Sequence, residues 1–229
     1  MEDSRIQANI DNIEYFIKNY GKLKKKKFKV KLFGIDTFGC EIADKLATTN
    51  IKNIDMYGLN CDKELLQNCF ANLKHKILIG KKVTKGLACS DDNELAKKVL
   101  LSSENQIKNL MKDAHVLFLV ISHDSAFGRN SLFPFADWAN ELGIALFIII
   151  LTPKNPKKVS GRRKLEVRTY NLEGQTLYAV PYKMIVKKTK SRVINSDFEQ
   201  EFTNLAIEQI FKGILKRVAN IDNVYGDLK

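Results

Sequence analysis

The sequence predicts an α/β fold with a Rossmann-like, three-layer architecture, in which helices cover both faces of a mostly parallel sheet. Short continuous apolar runs, such as Val116–Ile121, alternate with segments whose apolar residues recur every three or four positions. Such runs are typical of parallel strands buried on both faces, and the alternation is typical of helical crossovers between them. The 229 residues suffice for one domain of this kind with a sizeable core.

The first 27 residues are predicted to precede this domain, which spans residues 28–229. Four isoleucines, spaced four, three and four residues apart from Ile6 to Ile17, predict an amphipathic helix. Gly21 ends that helix, and the run KLKKKK that follows forms a basic hinge. We favour docking of the helix on its own domain, because its apolar stripe needs a cover. The alternative is contact with a partner or with a membrane surface.

The domain begins with a strand, a turn and a helix between Phe28 and Leu46. The strand is the apolar run that starts at Phe28, and the turn runs from Gly34 to Gly39. Such an arrangement offers backbone N–H groups to a phosphate at the start of the helix. Asp36 and Phe38, however, put a negative charge and a bulky ring where an anion would have to lie.

Periodicity and turn residues predict the remaining elements. They are a strand at Ile54–Asn60, a helix at Lys63–Asn72, a strand at Lys76–Gly80, a loop at Lys81–Ser90, a helix at Asp92–Met111 capped near Asp91 or Asp92, a strand at Val116–Ile121, a helix at Ser131–Leu142 ended by Gly143, a strand at Ile144–Leu151, a strand at Leu177–Pro181 and a long core helix at Asp197–Asn220. Ligands of such sheets bind beyond the carboxyl ends of the strands. The loops expected to matter are therefore 34–40, 58–62, 86–92, 122–130 and 152–162.

Charge and cysteine usage narrow the class of protein. The formal net charge is +12, but the lysines are scattered and few aromatic residues interleave with them. This pattern favours a solvated basic surface over a specific nucleic-acid site. The four cysteines form no CxxC pair, and neither a signal peptide nor a membrane-spanning apolar run is present. We therefore expect a protein of the reducing cytoplasm, without a disulfide framework or a zinc site.

Several segments, in order, resemble the GTPase domain of the FtsZ/tubulin family. Lys76–Ala88, KILIGKKVTKGLA, is similar to the family's IxIGxKxTxGLG segment, and Asn60-Cys61-Asp62 matches its Asn-Thr-Asp. Gly161-Arg162-Arg163 resembles the GRKR of a nucleotide-side loop, and Leu177–Pro181 resembles the strand that ends in Ile-Pro-Asn-Asp. The resemblance extends from about Phe28 to Gly226 and implies the FtsZ/tubulin fold, with GTP or GDP as candidate cofactor.

The resemblance also implies a set of nucleotide-binding residues, working or vestigial. They are Gly34, Thr37, Gly39 and Cys40 of the first loop, Ser125, Gly128, Arg129 and Asn130 of the tubulin signature, and Glu208, which falls where the family has its guanine-binding Asp. Glu208 could equally be an exposed helix carboxylate. No catalytic residue and no metal ligand is predicted.

The departures from the family pattern fall in the nucleotide loops. Of the glycine run in the first loop, only Gly34 and Gly39 remain, and the third loop, ACSDDN at 88–93, has lost every glycine. The signature loop, DSAFGRN at 124–130, keeps only Gly128. The family's catalytic acids belong to a loop that the resemblance places beyond Gly226, so we expect the C-terminal domain to be absent and GTP hydrolysis to be lost.

Two functions are therefore expected from the sequence. The first is a divergent FtsZ-like protein, a pseudo-GTPase that acts as a scaffold or regulator in cell division or the cytoskeleton, with GTP binding weakened or lost. It would associate with FtsZ or with itself through the nucleotide-side face. The second is a GTP-binding FtsZ-type domain that is part of a longer chain and that polymerises and hydrolyses GTP when complete.

Overall fold

The computed structural model describes residues 29–48, 54–151, 169–172 and 175–180. Within these ranges the chain forms an alternating series of strands and helices. In chain order they are β1 (Val30–Ile35), α1 (Asp36–Ala47), β2 (Ile54–Asn60), α2 (Lys63–Asn68), β3 (His75–Leu78), α3 (Lys81–Thr84), α4 (Asn93–Ser102), α5 (Glu104–Met111), β4 (Val116–Ser122), α6 (Ala126–Leu142), β5 (Ala145–Leu151), β6 (Thr169–Leu172) and β7 (Gln175–Val180).

The strands form one sheet in the order β3-β2-β1-β4-β5-β7-β6. Neighbouring strands are parallel except for β6 and β7, which are antiparallel. The predicted mostly parallel sheet is therefore confirmed. From β1 the chain moves outward through β2 and β3 and then returns to β4 on the other side of β1. This reversal of direction creates a crevice at the carboxyl ends of β1 and β4, where doubly wound sheets bind ligands.

Apolar side chains fill both faces of the sheet, so the three-layer prediction is also confirmed. Leu32 and Phe118 belong to a core cluster that includes residues of α1 and α2. Phe33 and Leu119, the next residues along the same strands, belong to a second cluster with α4, α5 and α6. Each fully buried Leu or Phe side chain contributes about 1.5–3 kcal/mol, so the alternation along the strands stabilises both layers.

The first strand continues directly into the first helix, which differs from the predicted turn at Gly34–Gly39. β1 extends to Ile35 and α1 begins at Asp36. Asp36 reverses the chain in a single left-handed residue, with a φ of 66°. A short polar side chain such as that of Asp tolerates this conformation better than most, so no separate loop is needed.

The helix that follows β4 starts earlier than predicted. The sequence predicts a start at Ser131, whereas α6 begins at Ala126. Ser125 caps it, because the Ser125 hydroxyl accepts a hydrogen bond from the Gly128 N–H at 3.0 Å. The end of the helix is as predicted, since Gly143 adopts a left-handed φ of 66°.

The predicted helix Asp92–Met111 consists of two helices, α4 and α5, interrupted at Ser103. The Ser103 hydroxyl accepts a hydrogen bond from the Gly80 N–H at 2.7 Å, which anchors the break to the end of β3. The predicted cap is correct for Asp92, whose carboxylate accepts a hydrogen bond from the Leu95 N–H at 3.0 Å.

The helix predicted at Lys63–Asn72 ends at Asn68, as α2. Beyond it, the Asp44 carboxylate accepts hydrogen bonds from the N–H groups of Asn72, at 2.7 Å, and Leu73, at 3.0 Å. These bonds offer the backbone an alternative to a further helical turn.

Two short elements differ from the sequence prediction or were missed by it. Residues 81–84 of the predicted loop form α3, flanked by left-handed Gly80 and Lys85, with φ values of 64° and 57°. Strand β6 was not predicted, whereas β2 has the predicted bounds.

Other predictions lie outside the described residues. They are the helix and hinge of residues 1–27, the loop at 152–162 and the helix at Asp197–Asn220. The domain boundary at residue 28 therefore stays a prediction. Among the helices that the structure describes, none combines the length and the apolar character needed to cross a membrane.

Candidate functional site

An open pocket of about 350 Å³ lies beyond the carboxyl ends of β1, β2 and β4. Four chain segments line it, and all of their residues except Leu65 lie in loops that the sequence predicts to matter. They are Asp36 and Thr37 at the start of α1, Asn60, Cys61, Asp62 and Leu65 from the end of β2 to the first turn of α2, Ala88, Cys89, Ser90 and Asp91 before α4, and Ser125 and Phe127 after β4.

The β1 wall of the pocket is the first turn of α1. The residue before the helix, Ile35, provides no side-chain hydrogen bond as a cap. The first N–H groups of a helix favour an anion, but Asp36 places its own carboxylate in that first turn. Phe38 does not occupy the anion position that the sequence suggested, because it packs against the core cluster that contains Leu32.

The glycines that remain in the nucleotide loops pack the helices against the strands. A Cβ atom on Gly34 would lie 2.0 Å from the carbonyl oxygen of Gly39, and one on Gly39 would lie 2.4 Å from that of Val120. A Cβ atom on Gly128 would lie 2.1 Å from the carbonyl oxygen of Ser122. These close backbone contacts require glycine whether or not a ligand is present.

Cys40 lies behind the pocket rather than in its wall. Its thiol is buried, 3.5 Å from the Gly34 carbonyl oxygen and 3.7 Å from that of Leu59. Burial raises the pKa of the Cys40 thiol well above its usual range, so Cys40 is a packing residue without nucleophilic character.

The β2 wall contains a buried amide with an unused donor. Asn60 is 2% exposed, and its side-chain oxygen accepts a hydrogen bond from the Asp62 N–H at 3.0 Å. Its side-chain nitrogen Nδ2 has no hydrogen-bond partner among the described residues. A buried amide nitrogen without a partner costs free energy.

The α6 side of the site is held together by Arg129 and Asn130. The Arg129 guanidinium donates to the carbonyl oxygens of His123, at 2.9 Å, and Asp124, at 3.0 Å, and lies 3.6 Å from the Asp91 carboxylate. Asn130 Nδ2 donates to the Asn93 side-chain oxygen at 3.0 Å. These contacts fix the segments after β4 and before α4 relative to each other.

Burial lowers the pKa of His123, and the nearby Arg129 guanidinium lowers it further. This imidazole is therefore neutral near pH 7 and adds no positive charge beside the pocket.

The pocket wall has an acidic character. Asp36, Asp62 and Asp91 line it, and no lysine or arginine is among the lining residues that the structure describes. Asp62 also caps α2 through a 3.0 Å hydrogen bond from the Leu65 N–H. A carboxylate within about 4 Å of a phosphate costs several kcal/mol unless a cation intervenes. The described residues contain no cluster of three His, Cys, Asp or Glu side chains that could hold a metal ion.

The residues predicted from the resemblance divide into two groups. Thr37 and Ser125 line the pocket, whereas the others that the structure describes pack or brace its walls. The second group comprises Gly34, Gly39, Cys40, Gly128, Arg129 and Asn130. Glu208 lies outside the described residues. A nucleotide contact remains a prediction for every member of the list.

Two features of the site were missed by sequence reasoning. Asn60 was noticed only as part of the Asn-Cys-Asp match, although a polar residue ending an apolar strand is itself a signal for a site at the sheet edge. The proximity of Cys61 and Cys89 has no sequence signal, because 28 residues separate them.

Comparison with known proteins finds relatives that are named FtsZ. No family model matches the chain. It is 25% identical over 188 residues to "Cell division protein FtsZ" of Aquifex aeolicus, covering 81% of this chain and 47% of that protein. It is also 25% identical over 187 residues to "Cell division protein FtsZ 1" of Thermococcus kodakarensis, covering 80% and 46%. The chain thus spans about half the length of the curated relatives it matches.

Solved structures share the fold. An FtsZ W319Y mutant of M. jannaschii superposes with a TM-score of 0.69 at 18% identity, covering 92% of this chain and 60% of the other. A structure described as an empty FtsZ dimer of the same organism gives a TM-score of 0.68 at 19% identity, covering 87% and 57%. The chain is therefore similar in sequence to FtsZ proteins over about four-fifths of its length, and it has the fold of the FtsZ structures.

Proposed function

We propose that this chain is a divergent FtsZ-like protein of cell division or the cytoskeleton, which acts as a scaffold or regulator. In this proposal it binds guanine nucleotide weakly or not at all and does not hydrolyse GTP. The similarity to FtsZ supports the general role, and the composition of the pocket supports the loss of nucleotide chemistry.

One observation carries the proposal: the site has kept the glycines that the fold needs and lost those that a phosphate needs. At Gly34, Gly39 and Gly128, an added Cβ atom would lie less than 2.5 Å from a backbone carbonyl oxygen, so the fold requires glycine at each position. Asp36 and Asp91, by contrast, stand where the family has glycine-rich loops, and both line the pocket. The side chains that line the pocket therefore do not suit the phosphates of GTP unless a cation is added.

A specific observation favours the second function, a GTP-binding FtsZ-type domain. Asn60 Nδ2 is buried beside the pocket with no partner among the described residues, and the first turn of α1 has no side-chain cap. A ligand with hydrogen-bond acceptors would satisfy both. In this case, the longer protein would supply the parts required for hydrolysis and polymerisation.

Titration with a fluorescent GTP analogue in the presence of Mg²⁺ distinguishes the two functions. For the unmodified chain, we expect a Kd above about 100 μM and no phosphate release, because the carboxylates repel the phosphates. The substitution Asp36→Asn removes one charge and keeps a residue that tolerates a left-handed φ. We expect it to tighten binding about tenfold, which corresponds to about 1.4 kcal/mol.

The matched control for the titration is Asp137→Asn, which removes an exposed carboxylate of α6 that does not line the pocket. It should leave the affinity unchanged. Submicromolar binding by the unmodified chain, weakened by Asn60→Ala, would overturn the proposal in favour of the second function. Equal affinity of the Asp36→Asn variant and the unmodified chain would show that charge is not the barrier.

We further propose that the pocket side of the molecule is the surface through which the chain associates with FtsZ or with itself. The similar M. jannaschii protein is described as a dimer. Leu87, which precedes the pocket residue Ala88, is 70% exposed and so offers an apolar contact on that side of the molecule.

A further inference from the structure

Two cysteine thiols meet in the wall of the pocket. Cys61 follows β2 and Cys89 lies in the segment before α4, and their sulfur atoms are 3.1 Å apart. Both residues are buried, with 2% and 4% of their surfaces exposed, and both line the pocket. The two thiols are therefore shielded from other protein molecules, but a small molecule that enters the pocket can reach them.

The two sulfur atoms are not equivalent. The contact between the two sulfur atoms lowers the pKa of Cys61, whereas the same contact and burial raise the pKa of Cys89. Cys61 is therefore the sulfur that more easily becomes a thiolate, which is the reactive form toward oxidants. Cys89 lies 3.1 Å away, which is close enough for its sulfur to attack an oxidised Cys61.

The other two cysteines do not share this arrangement. Cys40 is buried against backbone carbonyl groups, and burial raises its pKa. Cys69 is exposed, at the end of α2. Two sulfur ligands are fewer than the four of a structural zinc site, and the described residues contain no larger cluster of metal-ligating side chains.

We propose that Cys61 and Cys89 are a redox-active pair that a hydroperoxide converts to an internal disulfide. The Cys61 thiolate attacks one oxygen of hydrogen peroxide, the O–O bond breaks, and the products are Cys61 sulfenic acid and hydroxide. The Cys89 sulfur then attacks the Cys61 sulfur and displaces hydroxide, which leaves as water with the Cys89 proton. In total, two thiols lose two electrons and one peroxide is reduced to two waters.

The disulfide would connect the end of β2 to the segment that carries Ser90 and Asp91. Closing it requires the sulfur atoms to approach from 3.1 Å to a bond of about 2.05 Å. The shift is small because the two sulfurs already touch. The product fixes one wall of the pocket covalently to another, and a thiol reductant reverses it. This inference does not depend on whether the pocket binds nucleotide.

Peptide mapping of the folded protein after treatment with hydrogen peroxide tests the inference. We expect the intact mass to fall by two hydrogens, two free thiols to be lost, and a peptide that links Cys61 to Cys89 to appear. Dithiothreitol should restore both thiols. The variant Cys69→Ser, which removes the exposed cysteine, should behave as the unmodified protein does.

The single variants separate the roles of the two sulfurs. Cys61→Ser should abolish the reaction at this pair, whereas Cys89→Ser should leave Cys61 to accumulate as sulfenic and then sulfinic acid. Unmodified Cys61 and Cys89 in the peroxide-treated protein would overturn the inference. So would a Cys61–Cys89 link that forms only after denaturation. The mapping of the unmodified chain decides the matter even if a variant fails to fold.

Discussion

Lys31 is a charged residue inside the sheet that the strand pattern would otherwise fill with an apolar side chain. Lys31 is 5% exposed, and its ammonium group donates to the Leu110 carbonyl oxygen at 2.6 Å and to the Asp113 carboxylate. The ammonium also lies 5.6 Å from the centre of the Tyr57 ring. Asp113 is therefore the charge that permits Lys31 to be buried.

We expect Asp113→Asn to lower the free energy of unfolding at pH 7 by about 1–2 kcal/mol, because it leaves the Lys31 charge without its carboxylate. The expected loss is modest since the Asp113 side chain is 51% exposed and solvent screens the pair. Urea denaturation of the two proteins measures the difference. The matched control is Glu94→Gln, which removes an exposed ion pair with Lys97 and should cause no measurable change.

The effect of Asp113 should depend on pH in a defined direction. Hydrogen bonds and charge from Lys29 and Lys31 lower the pKa of Asp113 to about 2 from 3.8. A carboxyl with a lowered pKa in the folded state stabilises the protein above pH 3.8, and this contribution is lost as the pH falls toward 2. The difference between the two proteins should therefore shrink across that interval. A constant difference would contradict the assignment.

For single residues, the sequence predicts which side chains pack in the core better than it predicts which polar groups pair with each other. Ile42, Ala43 and Leu46 share the buried face of α1, and their helical spacing alone determines that face. The pairing of Lys31 with Asp113 joins residues 82 positions apart, and only the tertiary fold brings them together.

At the scale of elements, α1 is held on the sheet by contacts between backbones. Gly39 approaches the Val120 carbonyl oxygen of β4 so closely that a methyl group would lie 2.4 Å from it. The position of α1 therefore depends on the absence of a side chain at Gly39, and α1 forms the β1 wall of the pocket.

We expect Gly39→Ala to destabilise the protein by about 3 kcal/mol or more, because a backbone carbonyl cannot move aside as a side chain can. The control is Gly58→Ala, whose methyl group would meet the Leu73 side-chain end at 2.7 Å. That side chain can change conformation, so its cost should be near 1 kcal/mol. Thermal and urea unfolding measure both. Equal losses would contradict the explanation.

The element boundaries show where sequence reasoning was limited. Regular apolar spacing predicted β2 and β4 well, but it continued through Ser103 and so merged α4 with α5. The break comes from a hydrogen bond to Gly80, which is not encoded in the local spacing. The early start of α6 was missed because the segment DSAFGRN was interpreted as a family loop rather than as a Ser-capped helix.

For the whole molecule, the arrangement of strands sets the order of local stability. β1 and β4 lie in the interior of the sheet, each with a hydrogen-bonded neighbour on both sides and helices on both faces. Opening them requires disruption of both core clusters, whereas the segment between α3 and α4 is mostly exposed.

Hydrogen–deuterium exchange of the native chain should therefore be slowest in β1 and β4, and residues 85–91 should exchange at least a hundredfold faster. Mass spectrometry of peptides from these segments measures the rates. If β4 exchanged as rapidly as residues 85–91, the claim that the core clusters on both faces of the sheet protect it would be contradicted.

The global architecture was predictable because parallel strands and crossover helices leave a strong periodic pattern, and the carboxyl ends of those strands located the pocket segments. The chemistry of the pocket was only partly predictable. Its acidic character follows from Asp36 and Asp91 in the sequence, but the unpartnered amide of Asn60 and the contact of Cys61 with Cys89 arise from the fold.

The lengths of the outermost strands have a consequence for assembly. The described sheet ends in β3 on one side and β6 on the other, and each is four residues long. Short edge strands offer few free backbone groups to a neighbouring sheet, which discourages lateral pairing of strands between copies. We therefore do not expect copies of this protein to join side by side into a continuous sheet.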